Sequence, residues 1–444
     1  MTLSDQTRLR IKTLYNALAD RILEPGDPVY VAQLNAASLS GTSAVDEMVA
    51  EIDFQEGGGV SLFTGQRGTG KSTELKRLQK CLEDRDIIAF YVDLSEYLLL
   101  TKQVEISDFL IAVAGALSDS IRGDKRFDAN LAELRYWERL KSFLATRVEL
   151  QEITTKFGPL DIKAALKADP DFKHRLQEAS RGHVAQIVRD AHDFFIGAVG
   201  AVRTAMGRDD LKVVLIVDSI ERIRGVGEEA MKVYDSVRDL FFGHGEHLRV
   251  PLLNVVYTVP PYLSILASGV GSLMAGASVR RLTSTHVFKD RSRDADPNGL
   301  NLLAQVIAAR YPEWQQIIRP EALARLALSS GGDLREFFRL VRQCLPPIRD
   351  DADLPLPEAR VAHAEAAAKN EMLPIPADHL AWLVRISASH EPCLQHESDL
   401  PVLAHFLDNR LVMNYRNGGD WYDVHPLIRD VVDKFRDEQA DHRR

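Results

Sequence analysis

The most constraining stretch of this chain is Gly65-Gln66-Arg67-Gly68-Thr69-Gly70-Lys71-Ser72, followed by Thr73. It fits the pattern G-x-x-x-x-G-K-[ST], a glycine-rich loop whose backbone N–H groups cradle phosphate oxygens. The context is what such a loop requires. An apolar run, Val60-Ser61-Leu62-Phe63-Thr64, enters through Gly57-Gly58-Gly59 and reads as a strand. A helical pattern begins at Glu74 and runs to Cys81. Glycines allow positive φ, so the main chain can close around an anion, and the helix N-terminus adds the positive end of its dipole. Lys71 is expected to reach the outer phosphates, and the Ser72 hydroxyl to ligate Mg²⁺. A guanine-reading N/T-K-x-D motif is missing, since Thr101-Lys102-Gln103-Val104 lacks the acid. ATP is therefore the expected nucleotide.

A second element supports the first. Val213-Val214-Leu215-Ile216-Val217 is an apolar strand with Asp218 at its carboxyl tip, the edge at which open α/β sheets bind ligands. Asp218 is expected to hold the hydration shell of Mg²⁺. Hydrolysis further needs a carboxylate to orient water. The residue after Asp218 is Ser219, so Glu221 is the first choice, with Asp93 and Glu96 as the others.

Short apolar runs at 87–92, 213–217 and 252–257 alternate with helical patterns. This predicts an α/β fold, a P-loop parallel sheet with helices on both faces. Residues 105–210 are mostly helical by pattern and read as a helical insertion. Residues 4–24 predict a helix with Leu9, Ile11, Leu14, Leu18 and Ile22 apolar, and 44–53 a second with Val45, Met48, Val49 and Ile52 on one face. Beyond 295 the strands stop, and 299–309 and 319–343 read as packed helices. Helical patterns near 377–388 and 398–408 then precede two β runs, 410–416 and 421–424, joined by Asn417-Gly418-Gly419-Asp420. That is a hairpin signature, and helices closing on a hairpin suggest a winged helix. The expected organisation is an N-terminal helical extension (1–43), a nucleotide-binding domain (44–290), a helical lid (291–352) and a winged-helix-like domain (353–444).

Composition excludes other classes. The 444 residues are 45% hydrophobic and 27% charged, with net charge −9, which is globular and argues against a globally basic nucleic-acid binder. Cys81, Cys344 and Cys393 are dispersed and form no CxxC, which suits a reducing, cytoplasmic setting. The uncharged window 250–279 is interrupted by Pro251, Pro260, Pro261, Gly269, Gly271 and Gly276, so no membrane span is expected. His183 and His192 are expected on solvated helix faces, and Asn414 and His425 in structural roles.

The order of features resembles the AAA+ superfamily, in particular its initiator, STAND and KAP-like members. The carrying residues are the loop 65–72, the acidic strand 213–218, the strand 252–257 closing on Thr258, Gly331-Gly332-Asp333-Leu334-Arg335, and the terminal hairpin. The resemblance implies that Thr258, or less well Asn254, senses the γ-phosphate. It implies that Arg335 reaches the nucleotide from the lid, and that an arginine such as Arg280 or Arg281 acts on a neighbouring subunit. It implies Mg-dependent ATP hydrolysis coupled to conformational change or assembly, as a homo-oligomer or beside a protein effector, in a regulatory or anti-phage setting. A non-hydrolysing ATP switch and a DNA-associated loader are the alternatives. DNA is disfavoured because 398–408 carries no Lys or Arg, and Asp408, Asp420 and Asp423 oppose Arg410 and Arg416.

Overall fold

The computed structural model describes residues 3–35, 43–128, 135–145, 159–225, 229–265, 277–416 and 419–442. The hairpin turn at Asn417-Gly418, parts of the insertion and residues 266–276 of the uncharged window lie outside these residues. In chain order the elements begin with α1 (Asp5–Ala17), α2 (Ala44–Phe54), β1 (Val60–Gly65), α3 (Lys71–Glu83) and β2 (Ile88–Asp93). The insertion follows as α4 (Ile106–Gly123), α5 (Tyr136–Ala145), α6 (Pro159–Ala168), α7 (Pro170–Ser180) and α8 (Val184–Met206). Then come β3 (Val213–Asp218), α9 (Ala230–Phe242), β4 (Leu253–Val259), α10 (Pro261–Ile265) and β5 (Ser278–Leu282). The rest is α11 (Pro297–Arg310), α12 (Pro320–Ser329), α13 (Leu334–Cys344), α14 (Glu358–Glu371), α15 (Ala377–Ser389), α16 (Leu400–Asp408), the hairpin β6 (Val412–Arg416) and β7 (Asp420–Val424), and α17 (Arg429–His442).

The chain divides into two compact units. One comprises Val45–Thr64 and Glu74–Arg281; the other comprises Met1–Ala44, Gly65–Thr73 and Leu282–Arg444. The first holds a five-stranded sheet in the order β2-β3-β4-β1-β5. The pairs β1–β4, β4–β3 and β3–β2 are parallel. Every residue of β1, β3 and β4 is buried, which explains why these strands read as continuous apolar runs rather than alternating ones. The register Asp93↔Asp218, together with Val217↔Tyr257 and Phe63↔Thr258, brings Asp93, Asp218 and Thr258 to the carboxyl edge of the sheet. Thr258 lies within β4 rather than beyond it, because the strand runs on to Val259. Asn254 pairs with Val214, towards the opposite edge, so it is not placed to sense a ligand at the carboxyl edge.

The helical insertion joins β2 to β3 in the same unit. Its central helix, α4, buries almost every residue from Ile106 to Ser118, the signature of a core helix rather than a surface one. Gly115 permits its contact with α5, since a Cβ there would lie 2.1 Å from Trp137 Cζ2. Within this apolar body sits a polar cluster. Lys173 Nζ lies 3.3 Å from Asp108 Oδ2, Gln177 donates to the same oxygen at 3.1 Å, and the Glu105 N–H donates to Asp108 Oδ1 at 2.6 Å.

The second unit is built around one apolar cluster. Ile11, Leu14 and Leu18 pack with Leu303, Ile307, Leu326, Phe337, Val341, Val361, Met413, Tyr415 and Trp421. The N-terminal helix, the lid helices and the terminal hairpin thus share a core. The first helix is shorter than its apolar spacing predicts, ending at Ala17. Leu9 and Ile22 are exposed; Leu9 lies across the helix from the Ile11–Leu14–Leu18 stripe, and Ile22 lies beyond the helix. The stretch 319–343 divides into α12 and α13 at Gly331-Gly332, both at positive φ. Only glycine fits at 332, where a Cβ would stand 1.9 Å from the Thr285 carbonyl oxygen. Among the described residues no helix is long and apolar enough to cross a membrane.

Candidate functional site

The loop Gly65–Ser72 leaves the carboxyl end of β1 and runs into α3, whose first residue is Lys71. Gly68 and Gly70 have φ of +92° and +94°, the left-handed region in which a side chain is strained. A Cβ on Gly70 would meet nothing within 4 Å, whereas one on Gly68 would lie 2.6 Å from Asp333 Oδ2. Gly70 therefore opens onto free space, and Gly68 is where the loop meets the lid turn. Lys71 is 5% exposed, and its ammonium donates to the carbonyls of Gly65 at 2.7 Å and Gln66 at 2.9 Å. The Thr69 hydroxyl donates to the Gln66 carbonyl at 2.9 Å. Thr73 Oγ1 accepts the Leu23 N–H at 3.2 Å, tying the end of the loop to the N-terminal segment.

Gln66 performs a task its place in the motif does not disclose. Its Nε2 donates to the Val412 carbonyl at 2.6 Å, and its Oε1 accepts the Asn414 N–H at 3.1 Å. Residues two apart on a strand present their polar groups on the same side. One side-chain amide therefore stands in for a neighbouring strand along β6, the kind of exposed edge that proteins otherwise cover or charge. Gln66→Ala is expected to destabilise this unit by about 1–3 kcal/mol, the range for leaving buried backbone groups unsatisfied. Faster hydrogen exchange at the Asn414 amide is the direct check, and unchanged protection there would contradict it.

The lid turn is anchored by Asp333, which is fully buried and caps α13 by accepting the Glu336 N–H at 2.7 Å. Arg410 Nη1 reaches both Asp333 Oδ1 and Glu336 Oε2 at 3.2 Å. Burial pushes the Asp333 carboxyl above the usual range, against the pull of Arg410. Glu336 feels burial in the same sense, yet Arg339 and Arg410 hold it below its ordinary value. Arg335 is partly exposed, with Nε 2.7 Å from Asp20 Oδ2. In this conformation the lid arginine faces the N-terminal segment.

In the sheet unit, Asp218 is fully buried. Its Oδ1 accepts the Ser219 N–H at 2.7 Å, and its Oδ2 accepts the Tyr91 hydroxyl at 2.6 Å. Ser219 sits at φ +75° and turns the chain into the short helical turn Ile220–Arg222. Glu221 lies on that turn and is 8% exposed. Thr258 Oγ1 accepts the Ile220 N–H at 3.0 Å and donates to the Val217 carbonyl at 3.4 Å. Its hydroxyl fastens the turn after Asp218. Asp93 caps its own short helix through the Ser95 N–H, and Glu96 is exposed. Arg280 pairs with Glu47 at 3.0 Å and Glu51 at 3.2 Å, and Arg281 donates to the Ser264 carbonyl at 3.4 Å. Both arginines are thus engaged within their own chain.

The terminal hairpin corrects one expectation about charge. Asp423 does not face solvent beside Arg410 and Arg416. It is fully buried and accepts from Arg293 at 2.7 and 2.8 Å and from Arg429 at 2.9 Å. His192 also has a specific partner, its Nε2 lying 2.8 Å from the His247 carbonyl. Tyr91 and the grip of Gln66 on β6 went unread, and only the aromatic placed two residues before Asp93 hinted at the first.

Taken unit by unit, the loop has the form that receives phosphates and the sheet edge presents a carboxylate suited to a hydrated Mg²⁺. Gly70 leaves open space at the loop, and Lys71 and Ser72 stand at the start of a helix. Asp218 offers a carboxylate at the sheet edge. Among the described residues, no group of three or more His, Cys, Asp or Glu could hold a metal ion.

No family model and no curated protein matches the chain. Among solved structures it is similar to the ORC2 protein of Aeropyrum pernix in ADPNP–ADP complexes, at 10% identity and TM-score 0.38, covering 96% of this chain and 98% of that one. It is similar to CDC6P from Pyrobaculum aerophilum at 12% identity and TM-score 0.36, with the same coverage of 96% and 98%. A Walker-type ATPase of Pyrococcus abyssi is similar at 11% identity and TM-score 0.42, over 88% of this chain and 94% of that one.

Proposed function

We propose that this chain binds Mg·ATP through the loop Gly65–Thr73 and hydrolyses it, coupling the nucleotide to a change of conformation or assembly. The observation that carries the reading is the loop itself: a buried parallel strand, two left-handed glycines, and a lysine and serine opening a helix. Lys71 would neutralise the outer phosphates, and Ser72 and Asp218 would serve the metal. Glu221 is the carboxylate proposed to orient water, with Thr258 and Arg335 as the nucleotide-responsive residues. The test is equilibrium binding of ATP with Mg²⁺ to the full chain. Lys71→Ala is expected to weaken binding about 100-fold, because the loop then lacks the lysine proposed to neutralise the outer phosphates. Equal affinity in the two proteins would overturn the reading.

One observation favours a second reading, a switch that holds ATP without turning it over. The residue directly after Asp218 is Ser219, in a left-handed conformation, where the resemblance would place a catalytic glutamate. Turnover no faster than that of Lys71→Ala, alongside tight ATP binding, would decide for the switch. A DNA-binding role is disfavoured, since α16 carries neither Lys nor Arg.

A further inference from the structure

Tyr91 lies outside every motif. It sits half-buried on β2, where the register pairs it with Ile216 and pairs Asp93 with Asp218. Paired residues of a parallel sheet project from the same face, as do residues two apart along a strand. Tyr91 and Asp218 therefore share a face and are offset by one diagonal step. A side chain as long as tyrosine spans that step, and its hydroxyl donates to Asp218 Oδ2 at 2.6 Å. This distance belongs to charge-assisted O–H···O⁻ bonds, about twice as strong as neutral ones. The other carboxylate oxygen accepts the Ser219 N–H at 2.7 Å. Two donors, one on β2 and one at the turn just after β3, thus fix the plane of a carboxylate that is fully buried.

The ring of the phenol is engaged as well. Lys76 Nζ lies 4.4 Å from the centre of the Tyr91 ring, within the range of a cation–π contact. A cation over the ring draws electron density away from the phenolic oxygen and strengthens its O–H as a donor. Lys76 belongs to α3, the helix that the glycine loop opens. The contacts form a chain: ammonium on α3, ring on β2, carboxylate at the tip of β3.

We propose that Tyr91 is a positioning residue for Asp218, with Lys76 strengthening its grip. It holds the carboxylate in the orientation that receives a hydrated divalent cation. The inference rests on the reading of Asp218 as the residue that serves Mg²⁺. Partners of this kind around metal-serving groups change metal affinity 10- to 100-fold when removed.

The experiment is a Mg²⁺ titration of ATP binding to the full chain, with ATP affinity in EDTA measured alongside. In Tyr91→Phe the half-saturating Mg²⁺ concentration is expected to rise about tenfold, while metal-free ATP affinity stays within about twofold of the native chain. Lys76→Met keeps the Tyr91–Asp218 bond, and a smaller shift in the same direction is expected; it carries the test should Tyr91→Phe fail to fold. Asp218→Asn separates the two levels of the argument. A Mg²⁺ requirement shifted in Asp218→Asn but unchanged in Tyr91→Phe and Lys76→Met overturns the role of Tyr91 alone. A requirement unchanged in Asp218→Asn overturns the reading of Asp218, and the role of Tyr91 with it.

Discussion

Replacing Lys173 with alanine is expected to destabilise the helical insertion by about 3–5 kcal/mol, the usual penalty for stranding one half of a buried ion pair. Lys173 is 2% exposed and Asp108 is fully buried. Burial works against both charges, pulling the Lys173 ammonium below its ordinary pKa and pushing the Asp108 carboxyl above its own. Each partner opposes that effect on the other from 3.3 Å away. Without the ammonium, Asp108 keeps Gln177 and the Glu105 N–H among the described residues, and Glu105 itself adds negative charge nearby. The readout is amide exchange in 106–123 and 170–180, since a chain with two compact units need not unfold in one step. The double variant Lys173→Met with Asp108→Leu is expected to recover most of the loss, because apolar residues of similar volume avoid the desolvation penalty altogether. A single variant within about 0.5 kcal/mol of the native chain would show that water reaches Asp108, and that the pair is not buried as the structure has it.

How much of this was legible depends on how far apart in the chain the cooperating residues lie. Local periodicity was enough for α2, whose buried residues Val45, Met48, Val49 and Ile52 are those its spacing picks out. It was enough for β3 and for the strand–loop–helix course of the glycine-rich stretch. It was not enough for Gln66, whose partner Val412 is 346 residues away, or for Tyr91, which is 127 residues from Asp218. No local signal encodes such pairs. Charge was misleading for a related reason. Asp423 reads as one more acid on a solvated wing, yet it is fully buried between Arg293 and Arg429. A side chain's charge indicates where it usually lies, and a buried acid is the exception that only a long-range partner can create. Thr258 shows the same limit. Its position at the end of an apolar run was readable, but the use of its hydroxyl as a fastener for Ile220 requires β3 and β4 to be paired.

Acidification from pH 6.5 to 4.5 is expected to destabilise the unit that contains the terminal hairpin, and His425 is the reason. This imidazole is fully buried, and burial pushes its pKa down to about 3 from an ordinary 6.5. Its Nδ1 accepts the Leu427 N–H at 3.3 Å, a bond that only the unprotonated nitrogen can make. The charges facing it are mixed: Glu336 favours protonation, while Arg410, Arg429 and Arg339 oppose it. Between pH 3 and 6.5 the unfolded chain therefore binds a proton at this position that the folded chain does not. The stabilisation is complete above 6.5 and is lost as pH falls towards 3, at about 1.4 kcal/mol per unit, or roughly 3 kcal/mol by pH 4.5. Glu336, held below its ordinary value, adds to the loss only under about pH 4.5, and Asp333, whose carboxyl is raised, works in the opposite sense. Between pH 6.5 and 5 Glu336 therefore adds nothing to the loss, and Asp333 opposes it. His286, His405 and His244 are shifted downward as well, so the decisive quantity is a difference between proteins. His425→Asn keeps an acceptor for Leu427 and removes the titration. Its urea midpoint is expected to fall less steeply than that of the native chain between pH 6.5 and 5. Parallel slopes would mean that His425 takes up its proton in the folded state, with Glu336 outweighing burial and the three arginines.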